Sequence, residues 1–252
     1  MTVKVPPLKC QGIKTKLVEW IKDHAILEND GTWIEPFMGS GVVGFNVSPS
    51  RAIFSDVNPH IVSFYNAIKE GKITVGIAKE FLEKEGALLR EKGEDHYYKV
   101  RERFNKNGSS LDMLFLNRAC FNGVMRFNKK GGFNVPFGHK PERFAKAYIT
   151  KITNQIKYVS DALSQYDWRF VCQDFRKTIS SASQDDFIYC DPHQYVGTQG
   201  VCHPSMVTCA SANLPVSPDS PRILERRVAA SHLDHHDGSK SRPPGPSRRE
   251  IY

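Results

Sequence analysis

The chain has 252 residues, 40% of them hydrophobic, and 35 lysines and arginines against 27 aspartates and glutamates give it a net charge of +8. This length allows one buried core, and the positive charge favours nucleic acid as a partner class without specifying a fold. The six cysteines lack the spacing of a zinc site or a disulfide framework, and no window is apolar enough for a membrane span or a signal peptide, so we expect a cytoplasmic protein without a metal centre.

Strands and helices are predicted to alternate along the first 190 residues. Short buried strands are expected at 32–37 and 51–56, and helical spacing of apolar residues predicts a helix at 59–69. Further helices are predicted at 98–104, 111–120 and 149–163, and further strands at 168–172 and 186–190. Such alternation is typical of an α/β fold in which helices cover a parallel sheet.

A glycine-rich turn follows the first predicted strand. Gly39, Gly41 and Gly44 have the spacing G-x-G-x-x-G, which permits a sharp turn and lets a ligand approach the backbone. By itself the pattern is equally compatible with a turn that binds no cofactor. No lysine followed by serine or threonine is present in it, so a triphosphate is disfavoured and a dinucleotide or S-adenosylmethionine remains.

An acidic residue ends the second predicted strand. Asp56 could accept hydrogen bonds from both ribose hydroxyls of an adenosine group. It could also cap the helix that begins near Pro59, and the two roles are compatible.

The composition changes after Pro192. All three tryptophans and all fifteen phenylalanines precede this residue, whereas 193–252 hold seven of the fifteen prolines and five of the nine histidines. Such a segment cannot bury enough apolar surface to offset its ordering entropy, so we predict a mostly disordered tail. Its histidine-rich run at 232–237 lacks spaced partners and is interpreted as solvated rather than metal-binding.

Five short motifs occur in a fixed order between residues 4 and 192. They are PLKCQGIK at 7–14, EPFMGSG at 35–41, DVNP at 56–59, LNRACFNGVMRFN at 116–128 and YCDP at 189–192. In order and separation they resemble the Dam-type DNA adenine-N6 methyltransferases, and within them the EcoRV-type modification methylases. The resemblance implies a Rossmann-like S-adenosylmethionine-dependent methyltransferase fold with an inserted helical DNA-recognition lobe.

The same resemblance implies a domain plan and partners. The N-terminal part of the catalytic domain would span 1–70, the DNA-recognition lobe 71–145 and the return to the catalytic domain 146–192, and a non-homologous tail would occupy 193–252. It implies that the cofactor is S-adenosyl-L-methionine and that the substrate is double-stranded DNA with a site such as GATATC. The enzyme would act as a monomer, with a restriction endonuclease as a separate partner.

Site residues also follow from the resemblance. Nine would contact the cofactor: Cys10, Lys14, Glu35, Phe37, Gly39, Gly41, Asp56, Asp174 and Asp191. Cys10 takes a position that is often tryptophan in the family, which removes a stacking contact. Seven would face DNA: Lys9, Phe121, Asn122, Val124, Arg126, Asn128 and Pro136.

The predicted DNA-facing side chains suit this task chemically. Arg126 can make paired hydrogen bonds to a guanine edge and Asn122 to an adenine edge, while Phe121 can wedge or stack. Four nearby cations would neutralise phosphates or simply be solvated: Lys129, Lys130, Lys140 and Arg143.

The Asp-Pro-Pro-Tyr motif of the family is only partly present. There, the carboxylate and the carbonyl of the next residue accept the two hydrogens of the adenine amine, which localises its lone pair, and the aromatic ring stacks on the extruded base. Here His193 and Gln194 follow Asp191 and Pro192, so Tyr195 lies one residue too late. We assign catalysis to Asp191, Pro192 and Tyr195.

Two interpretations of this departure are open. Either a bulged turn recruits Tyr195, or a reading-frame shift or fusion occurs at codon 193; the change of composition favours the second. Without the family's last strands, the strand ending at Cys190 would lie at an exposed edge, and we expect an unstable and nearly inactive chain. Alternative functions are a DNA-binding remnant without catalysis and a nicotinamide oxidoreductase, which is disfavoured because no substrate lobe for hydride transfer is recognisable.

Overall fold

The computed structural model describes residues 2–27 and 30–192 and the backbone of residues 222–225. Five strands form one parallel sheet: β1 Trp33–Glu35, β2 Arg51–Asp56, β3 Asp167–Cys172, β4 Phe187–Cys190 and β5 Arg222–Glu225. Their order across the sheet is β3-β2-β1-β4-β5. The predicted α/β class, with its parallel sheet, is confirmed.

Helices connect the strands and cover the sheet. They are α1 Val18–His24, α2 Val42–Val47, α3 Pro59–Lys69, α4 Val75–Lys92, α5 Glu94–Asn107, α6 Ser110–Ala119, α7 Lys146–Gln165 and α8 Phe175–Ser180. Single 3-10 turns occur at Thr15–Leu17, Phe121–Gly123 and Pro141–Phe144. Helices α4 to α6 fall within 71–145, and a DNA-recognition role for that segment stays a prediction. No helix in the described part of the chain is both long and apolar enough to cross a bilayer.

The register of the strands places the functional edge of the sheet. Ile34 of β1 lies opposite Ile53 on one side and Ile188 on the other. Because all these strands are parallel, their carboxyl ends meet at one edge. β1 has β2 on one side and β4 on the other, so the strand order reverses beside it, and such a reversal leaves a crevice in which α/β proteins bind ligands.

Neighbouring residues of β1 face opposite sides of the sheet, as the twofold period of a strand requires. Trp33 is fully buried in the main aromatic core, where Phe45 of α2 stacks on Trp168 with ring centroids 5.2 Å apart. Ile34 faces the other side and packs with Ile188 and the residues of α8. The core therefore fixes α2, and with it the turn that precedes α2, against the sheet.

Helix α4 lies at Val75–Lys92, where the sequence predicts no helix. Its buried positions include Ala78, Leu82 and Leu89, a helical spacing that is interrupted by the buried carboxylate of Glu85. That carboxylate is 2.7 Å from the His96 ring nitrogen and 3.3 Å from an Arg103 nitrogen. The apolar period is hard to recognise in the sequence because a paired charge occupies one of its core positions.

The strand at Arg222–Glu225 corrects one expectation. It pairs in parallel with β4, with Glu225 opposite Cys190, so β4 is not an edge strand and the exposed edge expected there is wrong. The rest of 193–252 lies outside the described residues. Three predictions fall there: the disorder of the tail, the interpretation of the run at 232–237 and the catalytic assignment of Tyr195.

Candidate active site

A pocket lies at the carboxyl edge of the sheet, beside the point where the strand order reverses. The N-terminal segment 10–14 forms one wall and the turn between β1 and α2 forms another. Glu35 of β1, Tyr189 of β4 and Asp191 complete the lining. Three elements that are distant in sequence thus converge on one cavity.

The glycine turn has the backbone conformation that its sequence predicts. Gly39 and Gly41 both have positive φ, at 49° and 72°, a region that favours glycine. A side chain built on Gly39 would meet only the Cys10 sulfur, at 3.9 Å, whereas one on Gly41 would lie 2.7 Å from the Phe45 ring. Gly39 therefore leaves space on the pocket side, and Gly41 allows the turn to pack on α2.

Asp56 ties this turn to the end of β2. Its Oδ2 accepts a hydrogen bond from the Gly39 N–H at 3.0 Å and its Oδ1 accepts one from the Asn58 N–H at 2.8 Å. The cap of α3 is Asn58, whose side chain accepts from the His60 N–H at 3.0 Å, so the capping alternative for Asp56 is wrong. Both carboxylate oxygens of Asp56 thus hold backbone at the carboxyl end of β2.

Asp191, the first residue after β4, forms an ion pair across the pocket. Its Oδ2 is 2.7 Å from the Lys14 Nζ, and the two side chains are 19% and 20% exposed. The same Nζ donates to the Gly12 carbonyl at 2.8 Å. The pair orients the Asp191 carboxylate at the pocket and joins the N-terminal segment to the end of β4.

Glu35 is buried beneath the glycine turn. Its Oε2 accepts hydrogen bonds from the Trp33 indole and from the Gly44 N–H, both at 3.1 Å. Burial raises the pKa of Glu35 to about 8; these two hydrogen bonds oppose the rise and the charge of Asp191 adds to it. Glu35 thus holds the turn against α2, a role that requires no ligand.

The other predicted cofactor residues divide into two groups. Phe37 lines the pocket and packs on Phe175, with ring centroids 5.1 Å apart. Cys10 also lines it, and burial, followed by the charge of Asp56, raises the pKa of its thiol, which keeps the sulfur neutral. Asp174 lies outside the lining and caps α8 by accepting from the Arg176 N–H at 2.9 Å.

A hairpin carries the predicted DNA-facing residues. Antiparallel bridges join Cys120 to Phe137 and Phe127 to Phe133. Six of the seven predicted DNA-facing residues lie along it. Val124 is half-buried, and the other five are exposed: Phe121, Asn122, Arg126, Asn128 and Pro136. The exposed surface of this hairpin is therefore available to a partner.

Two of these residues are already held by the hairpin itself. The Arg126 Nε donates to the Asn134 Oδ1 at 2.9 Å. The Asn128 Oδ1 accepts from the backbone N–H groups of Lys130 and Gly132, at 2.9 and 3.0 Å. Arg126 is pre-oriented, whereas the side-chain oxygen of Asn128 builds the tip of the hairpin.

Helix α5 fastens the hairpin to the body of the protein. Asn105 accepts from the Phe133 N–H at 2.8 Å and donates to its carbonyl at 3.2 Å, and the Tyr97 hydroxyl donates to the Val135 carbonyl at 2.8 Å. His60 stacks on Phe127 with ring centroids 5.1 Å apart. These contacts present the exposed face on a rigid support.

Lys9, in the N-terminal segment, lies against Gly123 at the base of the hairpin, among other cations. Burial lowers its pKa to about 8, and the positive charges of Arg118, Arg143 and Lys151 lower it further against the opposing effect of Cys120. This concentration of positive charge is suited to an anionic partner. In the described residues, no group of three or more histidine, cysteine, aspartate or glutamate side chains could hold a metal ion.

Comparison with protein families agrees with this arrangement. Residues 11–202 match the model of the D12 class N6 adenine-specific DNA methyltransferases. The chain belongs to this family. The match contains the glycine turn, Asp56, the hairpin and Asp191, and the parallel sheet agrees with the fold of S-adenosylmethionine-dependent methyltransferases.

Relatives of this D12-class chain occur in bacteria and archaea. A DNA adenine methylase of Vibrio cholerae is 34% identical over 190 residues, which cover 73% of this chain and 63% of that protein. A DNA adenine methylase of Serratia marcescens is 29% identical over 94% of this chain and 80% of that protein, and the type II methyltransferase M.MjaIII of Methanocaldococcus jannaschii is 32% identical over 76% and 69%. The chain thus spans less than two thirds of the length of the Vibrio protein.

The structure adds residues to the site of this family member that sequence reasoning did not single out. The Tyr65 hydroxyl donates to the Ser40 carbonyl at 2.7 Å and so supports the glycine turn from α3. Asn117 binds the backbone of Lys9. Tyr65 has the helical spacing of an ordinary core residue, so nothing in the sequence marks it as part of the site. Asn117 lies inside the motif at 116–128, and that position was the signal that could have identified it.

Proposed function

We propose that this protein is a DNA adenine-N6 methyltransferase, which transfers a methyl group from S-adenosylmethionine to the exocyclic amine of adenine in double-stranded DNA. The observation that carries the proposal is the convergence on one pocket of the glycine turn and of Asp191, paired with Lys14 at 2.7 Å. Membership of the D12 class supplies the reaction type.

The residues around the pocket fit S-adenosylmethionine. Gly39 has no side chain that would fill the space beside Cys10, and the Asp56 carboxylate lies next to the same turn with hydrogen-bonding capacity for ribose hydroxyls. Cys10, Lys14, Phe37, Gly39, Gly41 and Asp56 would hold the cofactor, with Glu35 supporting the turn and Asp174 acting from the end of β3. When bound, the cofactor supplies an electrophilic methyl group.

Asp191 would act on the adenine amine. Its carboxylate and the carbonyl of Pro192 would accept the two amine hydrogens, which concentrates the nitrogen lone pair towards the methyl group. Lys14 pairs with Oδ2 of this carboxylate, and Oδ1 would be the acceptor for the amine. Tyr195 would stack on the extruded base.

The hairpin and the cations near Lys9 would form the DNA interface. Phe121, Asn122, Val124, Arg126, Asn128 and Pro136 would face the duplex. Arg126 has the planar donor group that reads guanine, and its contact with Asn134 orients it before DNA arrives. Lys9 and the neighbouring Arg143 would bind phosphates.

The names of the relatives and the resemblance of the motifs bear on the target and the biological setting. The bacterial relatives are named DNA adenine methylases and the archaeal one a type II methyltransferase. A GATATC target, monomeric action and a separate endonuclease rest on the resemblance of the motifs alone.

A methyl-transfer assay tests the proposal. Because the sequence departs from Asp-Pro-Pro-Tyr after Pro192, we expect little transfer of labelled methyl by the chain as written. The double substitution His193→Pro with Gln194→Tyr restores that motif and should raise transfer to duplex DNA, and adding Asp191→Ala should abolish it. Label on DNA that persists after Asp191→Ala would contradict the proposed role of this carboxylate.

The departure after Pro192 favours a second candidate, a DNA-binding protein without catalysis. It predicts retention of duplex DNA by the hairpin with no transfer of methyl, both in the natural chain and after restoration of the motif. Measurable transfer by either protein excludes it.

A further inference from the structure

The N-terminal residues 7–14, here called the strap, are fixed to helix α6. Asn117 accepts a hydrogen bond from the Lys9 N–H at 2.8 Å and donates one to the Lys9 carbonyl at 2.9 Å. The next residue, Arg118, donates to the Pro7 carbonyl and, at 2.8 Å, to Gln155. Two consecutive side chains of α6 thus hold the backbone at the start of the strap.

The other end of the strap reaches the catalytic edge. Gln11 and Gly12 form an exposed arch, and Gly12 turns the chain with a φ of 72°. Lys14 then donates to the Gly12 carbonyl and pairs with Asp191 at 2.7 Å. The strap therefore runs from α6 to the end of β4, and its residues 10–14 form one wall of the pocket.

We propose that Asn117 is a positioning residue that acts through the strap on the Lys14–Asp191 pair. Only about one-fifth of each side chain is exposed, and a largely buried ion pair is favourable only when its geometry is good, so the pair depends on where the backbone places Lys14. Asn117 is fully buried, and an apolar replacement would leave the N–H and carbonyl of Lys9 without this partner. The strap would then shift and move Lys14 away from Asp191.

The same residue lies at the start of the hairpin. Helix α6 ends at Ala119, two residues before Phe121, and the Asn117 Nδ2 is 3.5 Å from the Gly123 carbonyl. One buried amide group thus contacts both the strap and the surface proposed to bind DNA. This gives the pocket and the hairpin a common fixed point.

Asn46 offers a matched control. It accepts from the Lys4 N–H at 2.9 Å and donates to the Lys4 carbonyl at 2.8 Å, which repeats the pairing of Asn117 with Lys9. Lys4 precedes the strap, so loss of the Asn46 contacts should leave the Lys14–Asp191 pair in place. Both substitutions remove two backbone hydrogen bonds from the N-terminal segment.

The first test measures the acylation rate of the Lys14 amine by mass spectrometry in the intact chain. Loss of this largely buried ion pair should raise the rate at least about threefold in Asn117→Ala, as in the reference variant Asp191→Asn, and Asn46→Ala should stay at the wild-type rate. If Asn117→Ala is not folded at the labelling temperature, Asn117→Asp is used in its place. This variant keeps an oxygen that accepts from the Lys9 N–H and loses the donor to the Lys9 carbonyl. Equal Lys14 rates in the Asn117 and Asn46 variants would overturn the proposal.

A second test uses S-adenosylmethionine binding, measured by calorimetry, and rests on the proposed function. If Asn117 acts through Lys14, the affinity losses of Asn117→Ala and Lys14→Gln should not add in the double variant, whereas those of Asn46→Ala and Lys14→Gln should add. Additive losses with Asn117→Ala contradict the positioning role. Absence of cofactor binding by the wild-type chain contradicts the proposed function instead, and the labelling result still decides the role of Asn117.

Discussion

The Glu35 carboxylate accepts a hydrogen bond from the Gly44 N–H at 3.1 Å, so the last residue of β1 holds the first turn of α2. The residues between them form the glycine turn at the pocket. The turn is therefore closed at its base by a buried contact as well as being shaped by glycine. Burial raises the pKa of Glu35 to about 8, which makes this contact sensitive to pH.

Stability should fall as the pH rises through the pKa of Glu35. A raised pKa means that the folded state binds the proton more tightly than the unfolded chain, so the contribution is complete below the unfolded value of about 4.5 and is lost as the pH passes about 8. Between about pH 6 and pH 9 the wild type should lose about 2–3 kcal/mol more than Glu35→Gln. Urea unfolding at both pH values measures this, and parallel losses in the two proteins would contradict it.

DNA affinity should also depend on pH, through Lys9. Because its pKa is lowered to about 8, binding to phosphates above that pH requires uptake of a proton. At constant salt, the affinity for duplex DNA should therefore fall about tenfold between about pH 7 and pH 9. Lys9→Arg stays charged throughout and should flatten the dependence in a fluorescence titration; an unchanged slope would remove Lys9 from the interface.

Two helical glycines should respond in opposite directions to alanine. A Cβ on Gly44 would lie 2.3 Å from Phe54 and 2.6 Å from the Glu35 carboxylate, in the buried core. Gly44→Ala should cost about 1–3 kcal/mol or more through overpacking. Gly76, near the start of α4, has only the Thr74 hydroxyl within 4.0 Å of such an atom. Gly76→Ala should stabilise by up to about 1 kcal/mol, and thermal unfolding of the two variants provides the comparison.

Arg126 and Lys129 should affect DNA binding differently. If Arg126 reads a base, Arg126→Ala should cost about 1–3 kcal/mol on the cognate site and reduce discrimination between sites. Lys129 is exposed beside the tip of the hairpin, and a phosphate contact there predicts uniform weakening with a salt slope smaller by about 1 in Lys129→Ala. Binding curves on cognate and altered duplexes at several salt concentrations separate the two effects. Equal losses on all sequences for Arg126→Ala would argue against base recognition.

Several features of the site were accessible from local sequence. The strands predicted at 51–56, 168–172 and 186–190 are present because short apolar runs must be buried wherever they fold. The positive φ of Gly39 follows from a turn that only glycine forms easily. The place of Asp56 at the end of a strand follows from the same local pattern.

Other residues carried misleading local signals. Asp56 has the spacing of a helix cap, yet Asn58 performs that role and Asp56 binds the glycine turn. Glu35 and Asp174, which the resemblance assigns to the cofactor, also accept hydrogen bonds within the protein, from the Gly44 N–H and the Arg176 N–H, and their roles towards the cofactor stay predictions. In each case a short polar side chain has a choice of backbone partners, and the packing of the surrounding elements decides among them.

The sequence by itself determined the alternation of strands and helices, the glycine turn and the order of the motifs, because propensity, burial period and turn chemistry act over a few residues. Only the tertiary structure decided that Lys14 meets Asp191, that Asn117 holds Lys9 from 108 residues away and that β5 covers the edge of β4. These contacts depend on how the strands are ordered in the sheet and how the helices pack on it. No local period encodes such an arrangement, since it minimises the free energy of the whole chain.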